Sequence, residues 1–289
     1  MKALIKSMRL RTLPLSLAGV VCGGVMGYAL PTCRPGTHIF LVLTAVLLQI
    51  LSNLSNEMGD FRNGVDGENR QGPAYGMANG LTERQLWRAI NVTAVLCTLS
   101  GLLMLLFSFQ FSFFNFQFFG VLALGAAAIW AATHYTLGKN PYGYRGLGDL
   151  FVFIFFGLVS VIGSFFVIAH ELSLSTLPPA IGCGLLSVGV LNVNNIRDMV
   201  SDSGIRRTIP LCIGVRRAKI YQTALVASGF GCYFCSAPHW GVALMALPLS
   251  VHIVGVWRRQ GKALDPMLPL LVISTFVLSI IYAFVRYAV

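Results

Sequence analysis

Seven stretches of this chain, 12–33, 35–56, 89–138, 150–170, 172–196, 220–257 and 266–285, contain no Lys, Arg, Asp or Glu. Each reaches the length of roughly 20 apolar residues that an α-helix needs to cross a bilayer. Peptide groups cannot remain unpaired in hydrocarbon, so runs of this kind fold as helices closed on their own hydrogen bonds. Two runs are of double length. One divides at the polar, aromatic stretch FSFQFSFFNFQFF, the other at Pro238-His239-Trp240, where proline and interfacial residues favour a turn. The expectation is an all-α, polytopic membrane protein with nine transmembrane helices around a central cavity, forming a single domain over 1–289.

Composition agrees. The chain is 56% hydrophobic and 11% charged, with a mean hydropathy of +0.74, whereas about a quarter of a soluble domain is charged. Its net charge of +11 does not indicate nucleic acid, which needs a basic face on a soluble body. Lys2, Lys6, Arg9 and Arg11 precede an apolar stretch too long for a signal peptide, so it reads as the first span. The seven cysteines form no disulfide framework, and Cys232 and Cys235 lack a second ligand pair, which leaves them as small buried hydrophobes.

Nine spans place alternate loops on opposite sides, and basic residues concentrate on the cytoplasmic side. With the N-terminus inside, 19 of the 21 Lys and Arg fall in the tail and in the segments 57–88, 139–148, 197–219 and 258–262; only Arg34 and Arg286 lie outside. An error of one span would destroy that asymmetry. Nine of the ten acidic residues share the same side, Glu171 being the exception. Carboxylates and cations gathered at one mouth of otherwise bare helices suggest a charged ligand there.

The second expected helix ends in NLSNEMGDFRNGVDGENR and the sixth in NVNNIRDMVSD. Each has Asn-x-x-Asn (Asn53 and Asn56; Asn192 and Asn195), then Asp60 or Asp198, then Asp66 or Asp202. About four helices apart, they suggest two related four-helix halves, each offering one polar helix end to a shared cavity, with a ninth helix added. Asn56 and Asp60, Asn195 and Asp198, and Asp198 and Asp202 are spaced to share a helix face. Asp66 joins that face only if the helix opens, for which Gly59 and Gly64 are available. Carboxylate and amide oxygens without His or Cys suit Mg²⁺, which pairs a few carboxylates with substrate phosphates. The predicted ligand is a magnesium-bound diphosphate. The ordinary alternative, helix-end residues paired with Arg62, Arg70, Arg197, Arg206 and Arg207, is favoured for one motif but less so for two matched ones. Lys139, four residues after Tyr135, with Arg70, Arg145 and Arg207, are candidate cations for a leaving diphosphate. Arg216, Arg217, Arg258 and Arg259 read as ordinary inside-facing charges.

At these residues the sequence resembles the UbiA superfamily of intramembrane aromatic prenyltransferases, over nearly the whole chain. RLRTLPLSLAG, NEMGDFRNGVD with RQGP, YTLGKNPYGYRGLGD, FFGLVSVIGSFF and NVNNIRDMVSD carry the likeness. PYGYRGLGD and NVNNIRD point to its 1,4-dihydroxy-2-naphthoate branch in menaquinone synthesis. The resemblance implies that Asn56, Asp60, Asp66, Asn195, Asp198 and Asp202 bind Mg²⁺ and a polyprenyl diphosphate. It also implies that Tyr135 and Lys139 form a Tyr-x-x-x-Lys element, that Lys139 and Arg70 contact the diphosphate, and that Asp149 lies near the aromatic substrate. Glu57 stands where many relatives carry Asp, and SGIRRTIP after Asp202 is one residue short.

The implied reaction is attack of dihydroxynaphthoate on an allylic cation, with loss of CO₂ to give demethylmenaquinol, inside a Phe- and Leu-walled cavity that excludes water and opens sideways to lipid. The site would face the cytoplasm from a bacterial inner membrane, with no obligatory protein partner. The phenylalanine-rich stretch falls on the outer side and reads as an interfacial anchor. Other acceptors, such as 4-hydroxybenzoate or homogentisate, stay open, because the diphosphate motifs are shared. A transporter would need polar groups near the midplane, where the spans are almost purely apolar.

Overall fold

The computed structural model describes residues 2–28, 35–64, 72–109 and 116–287. These residues are helical and turn structure without a strand; the single β-bridge joins Arg145 to Arg207. After a short helix, Lys2–Ser7, come α1 (Leu13–Tyr28), α2 (Pro35–Arg62), α3 (Glu83–Phe109) and α4 (Phe116–His134). Then follow α5 (Gly148–Ala169), α6 (Leu177–Arg197), α7 (Val215–Ser236), α8 (Trp240–Arg258) and α9 (Met267–Tyr287).

Each expected helix has its counterpart, and both double-length runs divide where expected. α3 ends at Phe109 and α4 begins at Phe116, inside the aromatic stretch, of which 110–115 lie outside the described residues. At the second break the His239 side chain caps α8 by accepting from the Gly241 N–H at 3.1 Å. Among the described residues, eight helices are long and apolar enough to cross a membrane. The remaining one, α7, has 22 residues but carries Arg216, Arg217 and Lys219 in its first two turns.

Much of the outer surface is apolar. α3 leaves Val92, Val95, Leu96, Leu99, Leu102 and Leu103 exposed along one stripe, a face suited to lipid tails rather than water. Apolar burial therefore does little to drive these helices together, and close backbone packing with buried polar bonds matters more. At Gly157 a Cβ would lie 2.6 Å from Ala180 O on α6, so glycine is what lets α5 seat there. A buried polar chain ties the second half: Asn192 donates to Gln222 (2.8 Å), Gln222 to His252 Nε2 (3.0 Å), and His252 Nδ1 to Met267 O (3.0 Å). Because a carbonyl only accepts, this chain fixes the imidazole as the Nδ1–H tautomer.

α2 packs on α1, α3 and α4, and α6 on α5, α7 and α9. The polar ends of α2 and α6 thereby border one cavity.

Candidate active site

A cavity of about 220 Å³ lies between the ends of α2 and α6. Asn56 and Asp60 line it from α2, and Asn195, Asp198 and Asp202 from α6 and the turn after it. The first asparagine of each motif is instead a packing clamp. Asn53 donates to Met8 O (2.9 Å) and Thr12 Oγ1 (3.0 Å), and Asn192 donates to Ala218 O (3.1 Å) as well as Gln222. The offset is the same in both motifs: about 60° around the helix from its partner, the first asparagine meets a neighbouring segment and the second borders the cavity.

α2 remains helical through Gly59 to Arg62 and turns only at Gly64, with φ +73°. Gly59 serves close approach rather than opening the helix, since a Cβ there would sit 2.5 Å from Thr136. Thr136 donates to Ser55 O at 3.0 Å and lies 3.3 Å from Asn56 Oδ1, which fixes the asparagine at the cavity edge.

The carboxylates are not left bare. Arg206 Nη2 donates to Asp60 Oδ1 at 2.7 Å, and Tyr144 OH donates to the same oxygen at 2.9 Å. Arg206 Nε stands 3.2 Å from Asp202 Oδ1, an ion-pair separation without hydrogen-bond alignment. Its guanidinium also lies 4.9 Å from the centre of the Tyr144 ring. Burial opposes the Arg206 charge, yet Asp60 and Asp202 outweigh it and hold the group cationic. Asp198 accepts from Arg197 Nε (2.8 Å) and Nη2 (2.6 Å), and Arg197 Nη1 reaches Asp265 at 2.8 Å. Burial pushes the Asp202 carboxyl up to about 6, with Arg206 pulling the other way. Burial likewise pushes the Tyr135 phenol up to about 12.

The other expected residues divide. Tyr135 lines the cavity. Lys139, Arg145 and Arg207 are exposed and do not line it; Gly138 and Gly146, with φ +98° and +82°, turn the chain beside the first two. Arg207 joins the site only through its backbone N–H, which donates to Tyr144 O at 2.9 Å. Asp149 accepts from Tyr221 OH on α7 at 3.0 Å and lies outside the cavity lining. Asp66 and Arg70 fall outside the described residues.

The cations that do border the cavity are Arg9, Arg11, Arg197 and Arg206. The spacing of Asp202 and Arg206, four residues apart, was a legible sign of the last. Arg9 and Arg11 open RLRTLPLSLAG, one of the stretches that carry the family resemblance, but neither was assigned a role there. Arg9 lies 3.9 Å over the Tyr75 ring, and its Nε and Nη2 are buried without a hydrogen-bond partner among the described residues. That unpaired edge matches the two oxygens of a carboxylate or phosphate.

Five hard oxygen-bearing side chains therefore border one cavity, while the described residues contain no cluster of three His, Cys, Asp or Glu able to hold a metal alone. The set suits a Mg²⁺ ion that takes its remaining ligands from a phosphate.

A second, apolar cavity of about 830 Å³ adjoins the first, sharing Gln49, Asn56, Tyr135, Val152, Phe156 and Leu191 with it. It extends to Phe116 and Gln117 at the far end of α4 and to Leu172 beyond α5. α4 has 19 residues, so the cavity follows a helix about 28 Å long at 1.5 Å per residue. One wall is a π-helical stretch of α5, Phe153–Gly163; beside it Tyr142 stacks on Phe151 with centroids 3.9 Å apart.

A bundle of membrane-length helices with a charged chamber at one mouth and an apolar cavity behind it defines an integral membrane protein. The chain belongs to the UbiA prenyltransferase family, which it matches over residues 16–268. It is 38% identical to the 1,4-dihydroxy-2-naphthoate octaprenyltransferase of Escherichia coli (strain K12), across 92% of this chain and 89% of that protein. It is 32% identical to the enzyme of the same name from Mycobacterium tuberculosis, across 91% and 89%. Its fold is similar to that of a UbiA homolog from Aeropyrum pernix K1, with a TM-score of 0.71 and 17% identity over 93% of this chain and 96% of that one. It is also similar to a UbiA homolog from Archaeoglobus fulgidus solved with GPP and Mg²⁺, with a TM-score of 0.65 and 13% identity over 99% and 100%.

Proposed function

We propose that this protein transfers a polyprenyl group from its diphosphate to 1,4-dihydroxy-2-naphthoate, releasing CO₂ and diphosphate and forming demethylmenaquinol. The observation that carries the reading is the junction of the two cavities: paired Asn and Asp side chains border the polar one, and an apolar one of membrane length opens from it. The names of the bacterial relatives support the naphthoate acceptor, and the ligands of the archaeal homolog support a prenyl diphosphate with magnesium.

In this reading Asn56, Asp60, Asn195, Asp198 and Asp202, with Asp66 as a further candidate, hold Mg²⁺, whose contribution is positive charge against the departing diphosphate. Arg206 releases Asp60 as the substrate enters and turns its donors to the phosphate oxygens. Tyr135, protonated at neutral pH, borders both cavities and donates a hydrogen bond where the carbon–oxygen bond breaks. The prenyl tail fills the apolar cavity, which keeps water from the allylic cation. The carboxylate of the acceptor takes the open edge of Arg9. The ring carbon bearing it bonds to the allylic carbon, and the carbon–carboxylate bond then breaks, returning its electron pair to the ring as CO₂ leaves.

α7 completes nine spans, the two halves are a repeat built around α2 and α6, and the site faces the cytoplasm from a bacterial inner membrane. The positive-inside distribution of Lys and Arg supports that orientation. Purified protein supplied with Mg²⁺, a polyprenyl diphosphate and a panel of aromatic acceptors tests the reading: product forms with dihydroxynaphthoate. Preference for 4-hydroxybenzoate or homogentisate would overturn the acceptor assignment.

A further inference from the structure

Glu57 follows Asn56 on α2, yet it turns away from the cavity and is fully buried. Its Oε1 accepts the Met77 N–H at 2.6 Å, while Oε2 is buried without a hydrogen-bond partner among the described residues. A carboxylate is costly to bury, so this position is occupied by an expensive group whose visible bond reaches the segment 72–80 rather than the diphosphate-facing residues.

That segment is stitched down on two sides. Leu81 N and Asn79 N both donate to Gly76 O at 2.9 Å, and Lys6 Nζ donates to Asn79 Oδ1 at 2.7 Å. Gly76 is pressed against the N-terminal helix so closely that a Cβ would lie 2.1 Å from Ser7 Oγ. Tyr75, next to it, borders the cavity, and its hydroxyl accepts from Arg11 Nη2 at 3.0 Å. Its ring backs the guanidinium of Arg9 at 3.9 Å. Arg9 itself sits at φ 48°, ψ 51°, a left-handed conformation unusual for a side chain of this size. Such a conformation persists only where the surroundings over-determine it. The Arg9 backbone is bonded on both sides, its N–H to Lys6 O at 3.2 Å and its carbonyl accepting from Thr12 N and Thr12 Oγ1 at 2.9 Å each, and Tyr75 carries its side chain.

We propose that Glu57 is a positioning residue for acceptor recognition: by gripping the Met77 amide it sets Tyr75, and Tyr75 holds the unpaired edge of Arg9 toward the carboxylate of the aromatic substrate. This rests on the prenyl-transfer reading above. It assigns Glu57 to the acceptor, although its neighbour Asn56 serves the diphosphate, because adjacent residues on a helix face different ways.

Two substitutions at Glu57 separate the hydrogen bond from the charge. Glu57→Gln keeps a carbonyl acceptor of the same shape; Glu57→Met fills the space without one. Glu57→Met is expected to raise KM for dihydroxynaphthoate by about tenfold or more, the scale of a misaligned charge-assisted contact. KM for the polyprenyl diphosphate and the magnesium requirement stay as in the unsubstituted enzyme, and Glu57→Gln stays within about twofold on all of them. Tyr75→Leu should reproduce the Glu57→Met pattern, and it decides the matter if Glu57→Met does not fold. An equal loss in Glu57→Gln, a rise in the diphosphate KM, or an unchanged acceptor KM in Glu57→Met or in Tyr75→Leu would overturn the proposal. Calorimetric titration of the purified protein with 1-hydroxy-2-naphthoate, which carries the same carboxylate, keeps the two readings apart. If the unsubstituted protein does not bind it, the acceptor assignment itself falls; if it binds and Tyr75→Leu binds equally well, only the positioning role falls.

Discussion

Arg206 and Asp60, 146 residues apart in sequence, meet at 2.7 Å across the polar cavity, with both side chains about nine-tenths buried. The arginine thus bridges the two acidic motifs, standing between Asp60 and Asp202.

Removing that arginine has two expected consequences. Arg206→Ala leaves Asp60 and Asp202 facing each other without a counter-charge, and breaking a buried pair costs about 3–5 kcal/mol. The melting temperature of the metal-free protein should fall, and Mg²⁺ should raise it more than in the unsubstituted protein. Turnover should drop by about a hundredfold, as when one donor to a developing anion is lost. A thermal shift series with and without Mg²⁺ checks the first part; an equal magnesium response in both proteins would contradict the bridging role.

Asp60→Ala and Asp198→Ala should each abolish prenyl transfer while the protein still inserts in the membrane with a lowered melting temperature, because each carboxylate borders the cavity and also neutralises a buried arginine, Arg206 or Arg197. EDTA should stop turnover and excess Mg²⁺ restore it. Full turnover in chelator, or in either variant, would remove the metal assignment.

The Tyr135 phenol, raised to about 12 by burial, keeps its proton throughout the working range. The sign follows from desolvation, which penalises the phenolate and so moves ionisation to higher pH. Tyr135→Phe should lower kcat by about tenfold, the cost of one lost hydrogen bond in the transition state, without changing the shape of the rate profile between about pH 7 and 9. A basic limb that disappears in Tyr135→Phe would show that the phenol ionises in that range.

Gly125 on α4 borders the apolar cavity, and a Cβ there would meet nothing within 4 Å. Gly125→Phe should therefore fold and occupy the middle of the cavity. Long polyprenyl diphosphates should lose kcat/KM by about tenfold or more, while geranyl diphosphate is turned over as before, because only the tail loses its seat. An equal loss for both lengths would place the tail elsewhere.

Much of the architecture was legible before any coordinates, because charge-free runs have few ways to fold in a bilayer. Asn56, Asp60, Asn195, Asp198 and Asp202 were legible as well, since i, i+3 and i, i+4 spacing is a local property of one helix. The cations were harder. Lys139, Arg145 and Arg207 lie in the connections between helices, but loop position says nothing about direction, and the structure leaves them exposed. Arg9 and Arg11 satisfy the positive-inside rule, and the stretch they open marked neither as facing the cavity.

The amino-acid sequence by itself determined that the chain is a bundle of membrane-length helices, where the double-length runs divide, and which helix ends carry the acidic motifs, because hydropathy and helical periodicity act within about 20 consecutive residues. Only the tertiary structure decided which arginines enter the cavity, which asparagine of each motif is a packing clamp, and how Glu57 reaches the N-terminal segment through Tyr75. Those facts depend on contacts between residues tens to more than a hundred positions apart, and such contacts follow from how helices pack, which no local pattern records.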